Sequence, residues 1–180
     1  MNDTRSGRFL AGLGTLVFLF VAPGFVAGLV PYWITRWRFG SPGVPILRTA
    51  GALLVVAGVA VLLEAFWRFA VKGLGTPAPI LPTRRLVVSG LYRFVRNPMY
   101  LAVTAMVLGQ AMLFGDVRLL EYGAFVWCAF HAFVLLYEEP TLTAAYPAEY
   151  AIFRANVPRW IPRLRPWQPE SLTEEKGVTA

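Results

Sequence analysis

The sequence predicts an all-α integral membrane protein with about four transmembrane helices, or five if one is broken or short. Three observations carry this. Hydrophobic residues make up 57% of the 180 and charged residues only 15%, whereas an ordinary soluble domain is roughly 45–50% apolar. Mean hydropathy is +0.55. The apolar residues gather into four long segments, and so few polar residues cannot cover a soluble globule of this size, so lipid supplies the missing cover.

The segments run from Phe9 to Tyr32, Ile46 to Phe69, Met99 to Gly115 and Leu119 to Tyr137, where about 20 residues cross a bilayer as a helix. Arg5 and Arg8 precede the first, which exceeds a signal peptide's apolar core of about 7–15 residues and reads as a retained span. Within it, Gly24 and Gly28 have the spacing of a small-xxx-small packing face, although glycine is common in membrane helices anyway. The third and fourth segments are short. The stretch Gly115-Asp116-Val117-Arg118 between them allows only a tight turn, so they form a hairpin of antiparallel helices. Beyond them, Ala144 to Ala155 suits a C-terminal amphipathic helix with Tyr146, Tyr150 and Phe153 on one side, while Trp160 and Trp167 suit a membrane interface. Residues 1–170 read as one membrane-embedded domain, and 171–180 as a disordered polar tail.

Basic residues set the orientation. With the N-terminus cytoplasmic, thirteen of the 17 Lys and Arg fall on that side, and only Arg36, Arg38, Arg48 and Arg118 on the other. The positive-inside rule therefore places both termini in the cytoplasm, and a bacterial inner membrane is the expected location. The formal charge of +7 points to anionic lipid head groups rather than nucleic acid, because the basic residues flank apolar segments. The single Cys128 excludes a disulfide framework and a cysteine metal site. In the loop from Val71 to Asn97, "GTPAPILP" reads as rigid and extended, followed by a short strand or interfacial turn around Leu86 to Ser89.

Polar chemistry concentrates at the start of the third span, in "GLYRFVRNPMYLAV" at residues 90–103. Asn97 and Pro98 make a good helix start, since asparagine caps free N–H groups and proline suits the first helical position. A helix N-terminus is also an anion site, and Arg93 and Arg96 lie beside it. At the end of the fourth span, Glu138 and Glu139 repel one another where the helix dipole disfavours negative charge. A cationic partner is implied: Arg96, Arg154, Arg159 or a bound cation such as an amine or sulfonium. The two clusters share one side of the hairpin, and a zwitterionic ligand would satisfy both.

These residues carry a family resemblance. "GLYRFVRNPMYLA" resembles the G-x-Y-x-x-V-R-[HN]-P-x-Y-x-G signature of the isoprenylcysteine carboxyl methyltransferase and phospholipid methyltransferase group of integral membrane enzymes. "EEPTLTAAYPAEYAIFRANVPRWIP" is similar to the group's second block, in the right order and across a helical hairpin. The resemblance covers most of residues 90–162 and implies S-adenosylmethionine as cofactor. Carried over by position, it implies Tyr92, Val95, Arg96, Asn97, Pro98, Tyr100 and Leu101 as one half of the cofactor site, and Glu138, Glu139 and Tyr150 as the other. Arg96, Glu139 and Arg154 are the catalytic candidates, with Arg96 or Arg154 orienting an anionic acceptor. Three departures concern the acceptor more than the cofactor: Asn97 stands where several members have histidine, Ala102 replaces a glycine, and Tyr146-Pro147 replaces Phe-Gly.

The implied activity is methyl transfer to a lipophilic acceptor at the cytoplasmic membrane face, most like isoprenylcysteine-type carboxyl methylation, with phospholipid amine and thiol acceptors as alternatives. The partners implied are the lipid bilayer and a lipophilic or lipid substrate; oligomeric state is left open. Two rival readings are a sterol-reductase-like enzyme using a nicotinamide cofactor, against which the paired glutamates argue, and a non-enzymatic scaffold or transporter subunit, against which the nearly clean spans argue. His131, seven residues before Glu138, falls on a similar helical face and reads as a hydrogen-bonded packing histidine. Glu64 and Arg68 are spaced to pair at i, i+4.

Overall fold

The computed structural model describes residues 21–40, 44–68, 86 and 88–168. The N-terminal half of the first span, the proline-rich stretch of the second loop and the polar tail at 171–180 lie outside the described residues. Among those described, five helices occur and no strand: α1 (Val21–Thr35), α2 (Pro45–Arg68), α3 (Pro98–Phe114), α4 (Val117–Ala145) and α5 (Pro147–Asn156). A single 3₁₀ turn at Gly90–Arg93 leads into α3, and an irregular strap at 157–168 follows α5. Leu86 and Val88, at the expected strand or turn, pack on Tyr150, Phe153 and Val157.

Helices α2 and α4 are long and apolar enough to cross a membrane. Large side chains on their outer faces, among them Leu53, Val56, Leu63, Phe125 and Leu136, are exposed, as suits helices apolar all round whose solvent is lipid. The fourth span differs from expectation. It is not short and does not end at Tyr137, but runs 29 residues to Ala145, so Glu138 and Glu139 sit inside a continuous helix and escape the unfavourable end of its dipole.

Prolines shape two of these helices in the same way. Proline lacks an N–H and its ring crowds the carbonyl four residues earlier. In α1 the turn before Pro31 widens to a π-helix at Phe25–Leu29, and in α4 the turn before Pro140 widens likewise at Val134–Glu138. The carbonyls that Pro31 leaves without a donor are met from neighbouring helices. Gln110 Nε2 on α3 donates to the Ala27 oxygen at 2.7 Å, and the Tyr122 hydroxyl on α4 to that of Val26 at 2.9 Å. With no water available in a bilayer, such bonds both satisfy the backbone and lock α1 onto the hairpin.

The hairpin turn is as tight as expected. Gly115 adopts φ +68° as the left-handed end of α3, and the Asp116 carboxylate caps α4 by accepting from the Arg118 N–H at 3.0 Å. The closest helix contact lies elsewhere, between α2 and α3. A Cβ added to Gly51 would sit 2.5 Å from the Gly109 carbonyl oxygen, so two glycines permit backbone-to-backbone packing. Gly24 and Gly28 do no such work: Gly24 is exposed and nothing lies within 4 Å of a Cβ on Gly28.

The amphipathic helix is shorter than expected, because Pro147 starts a new helix and leaves Ala144 and Ala145 to α4. Tyr146, Tyr150 and Phe153 do share a side. They pack inward, and Trp167 of the strap closes on Phe153 with ring centroids 6.0 Å apart.

Candidate functional site

The first sequence block begins where Gly90, at φ +57°, lets the 3₁₀ turn press against the end of α2; a Cβ there would collide with the Glu64–Arg68 ion pair. That pair confirms the i, i+4 reading. From this turn the backbone enters α3 between two partners. The Arg96 N–H donates to the Pro158 oxygen at 3.0 Å, the Arg163 N–H to Phe94 oxygen at 2.9 Å, and the Trp167 N–H to Arg93 oxygen at 2.9 Å. The strap thereby binds the first block to the second along its length.

Asn97 takes part in this seam instead of capping the helix. Its side chain makes no cap hydrogen bond; Nδ2 donates to the Arg159 carbonyl oxygen at 3.1 Å. Asn97 holds the N-cap position, but its amide group is turned toward the strap carbonyl and the expected side-chain cap bond does not form.

The centre of the site is Glu139. Arg159 grips it with both arms, Nε at 2.6 Å from Oε1 and Nη2 at 3.0 Å from Oε2. Arg96 Nη1 lies 3.0 Å from the same Oε1 and also donates to the Tyr150 hydroxyl at 3.0 Å. Both Arg96 and Glu139 are nearly inaccessible, with side-chain exposures of 8% and 10%. Two guanidinium groups thus share one buried carboxylate, the arrangement in which charge-assisted bonds are strongest and loss of one partner most costly. The hydrogen bond from Arg159 to Glu139 raises the already high pKa of the guanidinium further.

Glu138 faces elsewhere. It accepts from the Tyr100 hydroxyl at 2.7 Å and lines a cavity of about 550 Å³ that opens between α1, α2, α3 and α4. Tyr92, Arg96, Asn97 and Tyr100 give this cavity its polar end, and Val26, Leu62, Phe66, Val103, Phe130 and Phe133 its apolar wall. Burial, with Glu138 and Glu64 nearby, raises the Tyr92 phenol well above its ordinary value, and burial also raises Tyr150 against the opposing pull of Arg96. Both phenols therefore stay protonated at neutral pH.

Of the residues singled out by sequence, Tyr92, Arg96, Asn97, Tyr100 and Glu138 meet in this cavity, while Glu139 and Tyr150 hold Arg96 from behind it. Val95, Pro98 and Leu101 point away. They line a separate apolar groove against α2, with Leu54, Gly58 and Val61, because they occupy the opposite face of α3 and its approach. Arg154 is exposed on α5 and lies outside the cavity, beside Thr143 and Ala151. Arg159, named by the sequence only as one possible partner of the glutamates, takes the ion pair. His131 does not share the Glu138 face. The π turn between them inserts one extra residue, a step of about 100° on a 3.6-residue helix, and His131 lines an outer groove with Cys128 and Leu135. Its Nδ1 accepts from Trp160 Nε1 at 3.0 Å, which bears out the packing reading.

Fold and site together define an all-helical membrane protein with an apolar cavity whose polar end is built from two motif blocks. The chain matches the family model described as phospholipid methyltransferase over residues 46–149, more than half its length, and it belongs to that family of integral membrane methyltransferases. Neither a curated protein nor a solved structure gives a significant match.

The group's usual cofactor, S-adenosylmethionine, is chemically compatible with the residues present. The cavity lies within the roughly 300–1,000 Å³ of small-molecule sites. It offers one carboxylate, Glu138, and one guanidinium, Arg96, whose buried Nε has no hydrogen-bond partner among the described residues. Among the described residues no cluster of metal-ligating side chains occurs.

Proposed function

We propose that this protein transfers a methyl group from S-adenosylmethionine to a lipophilic acceptor at the cytoplasmic face of the membrane. The observation that carries the reading is the pairing of a free-facing carboxylate, Glu138, with an under-satisfied Arg96 at the polar end of an otherwise apolar cavity. A zwitterionic amino-acid moiety needs both charges. Glu138 would hold its ammonium group and Arg96 its carboxylate, with Tyr92 and Tyr100 as flanking walls. The cofactor supplies a methyl group activated on a sulfonium.

The chain's own residues contribute position and dryness. Glu139 and Tyr150 fix the Arg96 guanidinium, Arg159 fixes Glu139, the strap carbonyl of Arg159 holds Asn97, and the cavity's apolar wall excludes water. Displacement on a sulfonium cancels charge as it proceeds, so orientation and exclusion of water do much of the work. The acceptor reaches the apolar wall from the bilayer.

Two acceptor classes fit this site. An isoprenylcysteine-type carboxylate arrives ionised and needs no base, which leaves Arg96 and Glu138 to the cofactor. A phospholipid amine, the second reading, must lose a proton; Glu138, which lines the cavity, would take it only in place of holding the cofactor's ammonium group. Arg154, exposed on α5, would serve only an acceptor head group outside the cavity. The whole of residues 1–170 would act as a single membrane-embedded unit, with both termini cytoplasmic.

Isothermal titration of the purified protein with S-adenosylhomocysteine tests the cofactor. Binding is expected, and its absence would sink the methyltransferase reading. Incubating membranes with methyl-labelled cofactor and identifying the labelled product as ester, amine or thioether then selects the acceptor.

A further inference from the structure

The strap at 157–168 turns its two tryptophans inward and two aliphatic side chains outward. Trp160 lies against Trp127 at 4.6 Å between centroids, and Trp167 against Phe153. Ile161 is 79% exposed and Leu164 100% exposed. Between and beside them stand Arg163 and Arg165, neither of which forms an ion pair among the described residues. Both tryptophans pack against the protein and are half-buried, while the aliphatic and cationic residues between them are presented outward.

Where the strap lies decides what it is presented to. Trp160 sits against the flank of α4, one of the two membrane-crossing helices, and Pro162 lines the groove formed with Leu54, Ala57 and Val61 of α2, the other. A segment lying along the sides of both spans has lipid on its outer face. Pro162 and Pro166 have no N–H to satisfy, and the Arg163 and Trp167 N–H groups are already bonded to the first block, which lowers the cost of seating irregular backbone at the head-group boundary.

We infer that the strap is a lipid-contacting foot: Ile161 and Leu164 enter the upper acyl region while Arg163 and Arg165 pair with anionic phospholipid head groups. The charge of the strap selects this occupant over a zwitterionic surface, since Arg163 and Arg165 have no carboxylate partner among the described residues, Arg163 donating only to the neutral Asn156 carbonyl, and no acidic residue occurs from 157 to 168. The strap also supplies the Arg159 side chain to Glu139 and the carbonyl that holds Asn97, so anionic lipid would brace the groups that hold the cavity's Arg96 and Asn97 in place. The lipid contact itself does not depend on the methyl-transfer reading.

The test uses the full chain with Cys128→Ser and Leu164→Cys, labelled at position 164 with bimane and placed in nanodiscs. Leu164 is fully exposed, so its replacement removes no packing. Nitroxide carried on the head group of phosphatidylglycerol or of phosphatidylcholine serves as quencher, with aqueous iodide as the competing probe. Lipid quenching is expected to dominate iodide. Phosphatidylglycerol should exceed phosphatidylcholine severalfold, on the scale of about fivefold per arginine near an anionic surface. Adding Arg163→Gln and Arg165→Gln should remove that excess and leave phosphatidylcholine quenching in place. Dominant iodide quenching would overturn the foot and point to a water-facing surface for an acidic protein partner. Equal quenching by the two lipids, or an excess that survives the double arginine substitution, would overturn its charge selectivity.

Discussion

The two ends of the α3–α4 hairpin both carry arginine against carboxylate, yet they do different things. At the turn, Asp116 and Arg118 are two residues apart and at the surface. The pair closes a loop, caps a helix and ties to α1 through the Ile34 carbonyl. At the other end, Arg96, Glu139 and Arg159 come from three segments up to 63 positions apart; Arg96 and Glu139 are buried and Arg159 half-buried, beside a cavity. The turn pair costs little to desolvate and gives little back, whereas the buried set is tolerated only because every charge finds a partner. Burial and sequence separation, more than the presence of an ion pair, distinguish the end that makes the loop from the end that makes the site.

The sharpest way to break this contrast is Glu139→Ala. It leaves Arg96 buried without its carboxylate and should cost about 3–5 kcal/mol, read as a large drop in melting temperature in detergent; a small drop would put the buried set on a par with the turn. Glu138→Gln keeps an acceptor for Tyr100 but removes the charge. Stability should hold while S-adenosylhomocysteine binds about tenfold or more weakly, the scale of one lost charged hydrogen bond; unchanged affinity in calorimetry would remove Glu138 from the cofactor site.

At the turn, Asp116→Ala should cost about 1 kcal/mol as a lost helix cap and leave cofactor affinity untouched. The hydrogen bond from Arg118 holds the Asp116 carboxyl below its usual range. Its contribution is therefore present above the unfolded value of about 3.9 and lost as pH falls through the lower folded value, so melting curves of parent and variant should converge only in strong acid. The smallest effect is expected for Trp160→Phe, which keeps the ring against Trp127 but removes the donor to His131, about 0.5–1.5 kcal/mol. A larger loss, measured by denaturation, would mean that this bond holds the strap.

Several features of the site are legible in the chain itself. Two polar blocks at the same end of a hairpin follow from the apolar segments and a four-residue turn, and the mutual repulsion of Glu138 and Glu139 announces a cation. The choice of Arg159 over Arg154 is not legible, since both are basic residues in the same C-terminal segment. The displacement of His131 has a sequence signal in Pro140, whose missing N–H favours a widened turn before it; a uniform 3.6-residue wheel passes over it. Asn97 misleads for a physical reason: its capping propensity is local, whereas a long-range contact to the Arg159 carbonyl orients its amide group. The aromatic wall of Phe66, Phe130 and Phe133 carries no signal, because an apolar residue in a span looks the same whether it faces lipid or a cavity.

The amino-acid sequence by itself determined that the chain is a helical membrane protein, that its third and fourth spans pair, and that the polar blocks meet, because hydropathy, turn length and charge are local properties that a bilayer reads directly. Tertiary structure alone decided that adjacent glutamates part company, one locked between two arginines and the other turned to the cavity. Neighbouring residues on a helix diverge by about 100°, and where each then points depends on a π turn and on a strap that reaches the site from some twenty residues downstream of Glu139.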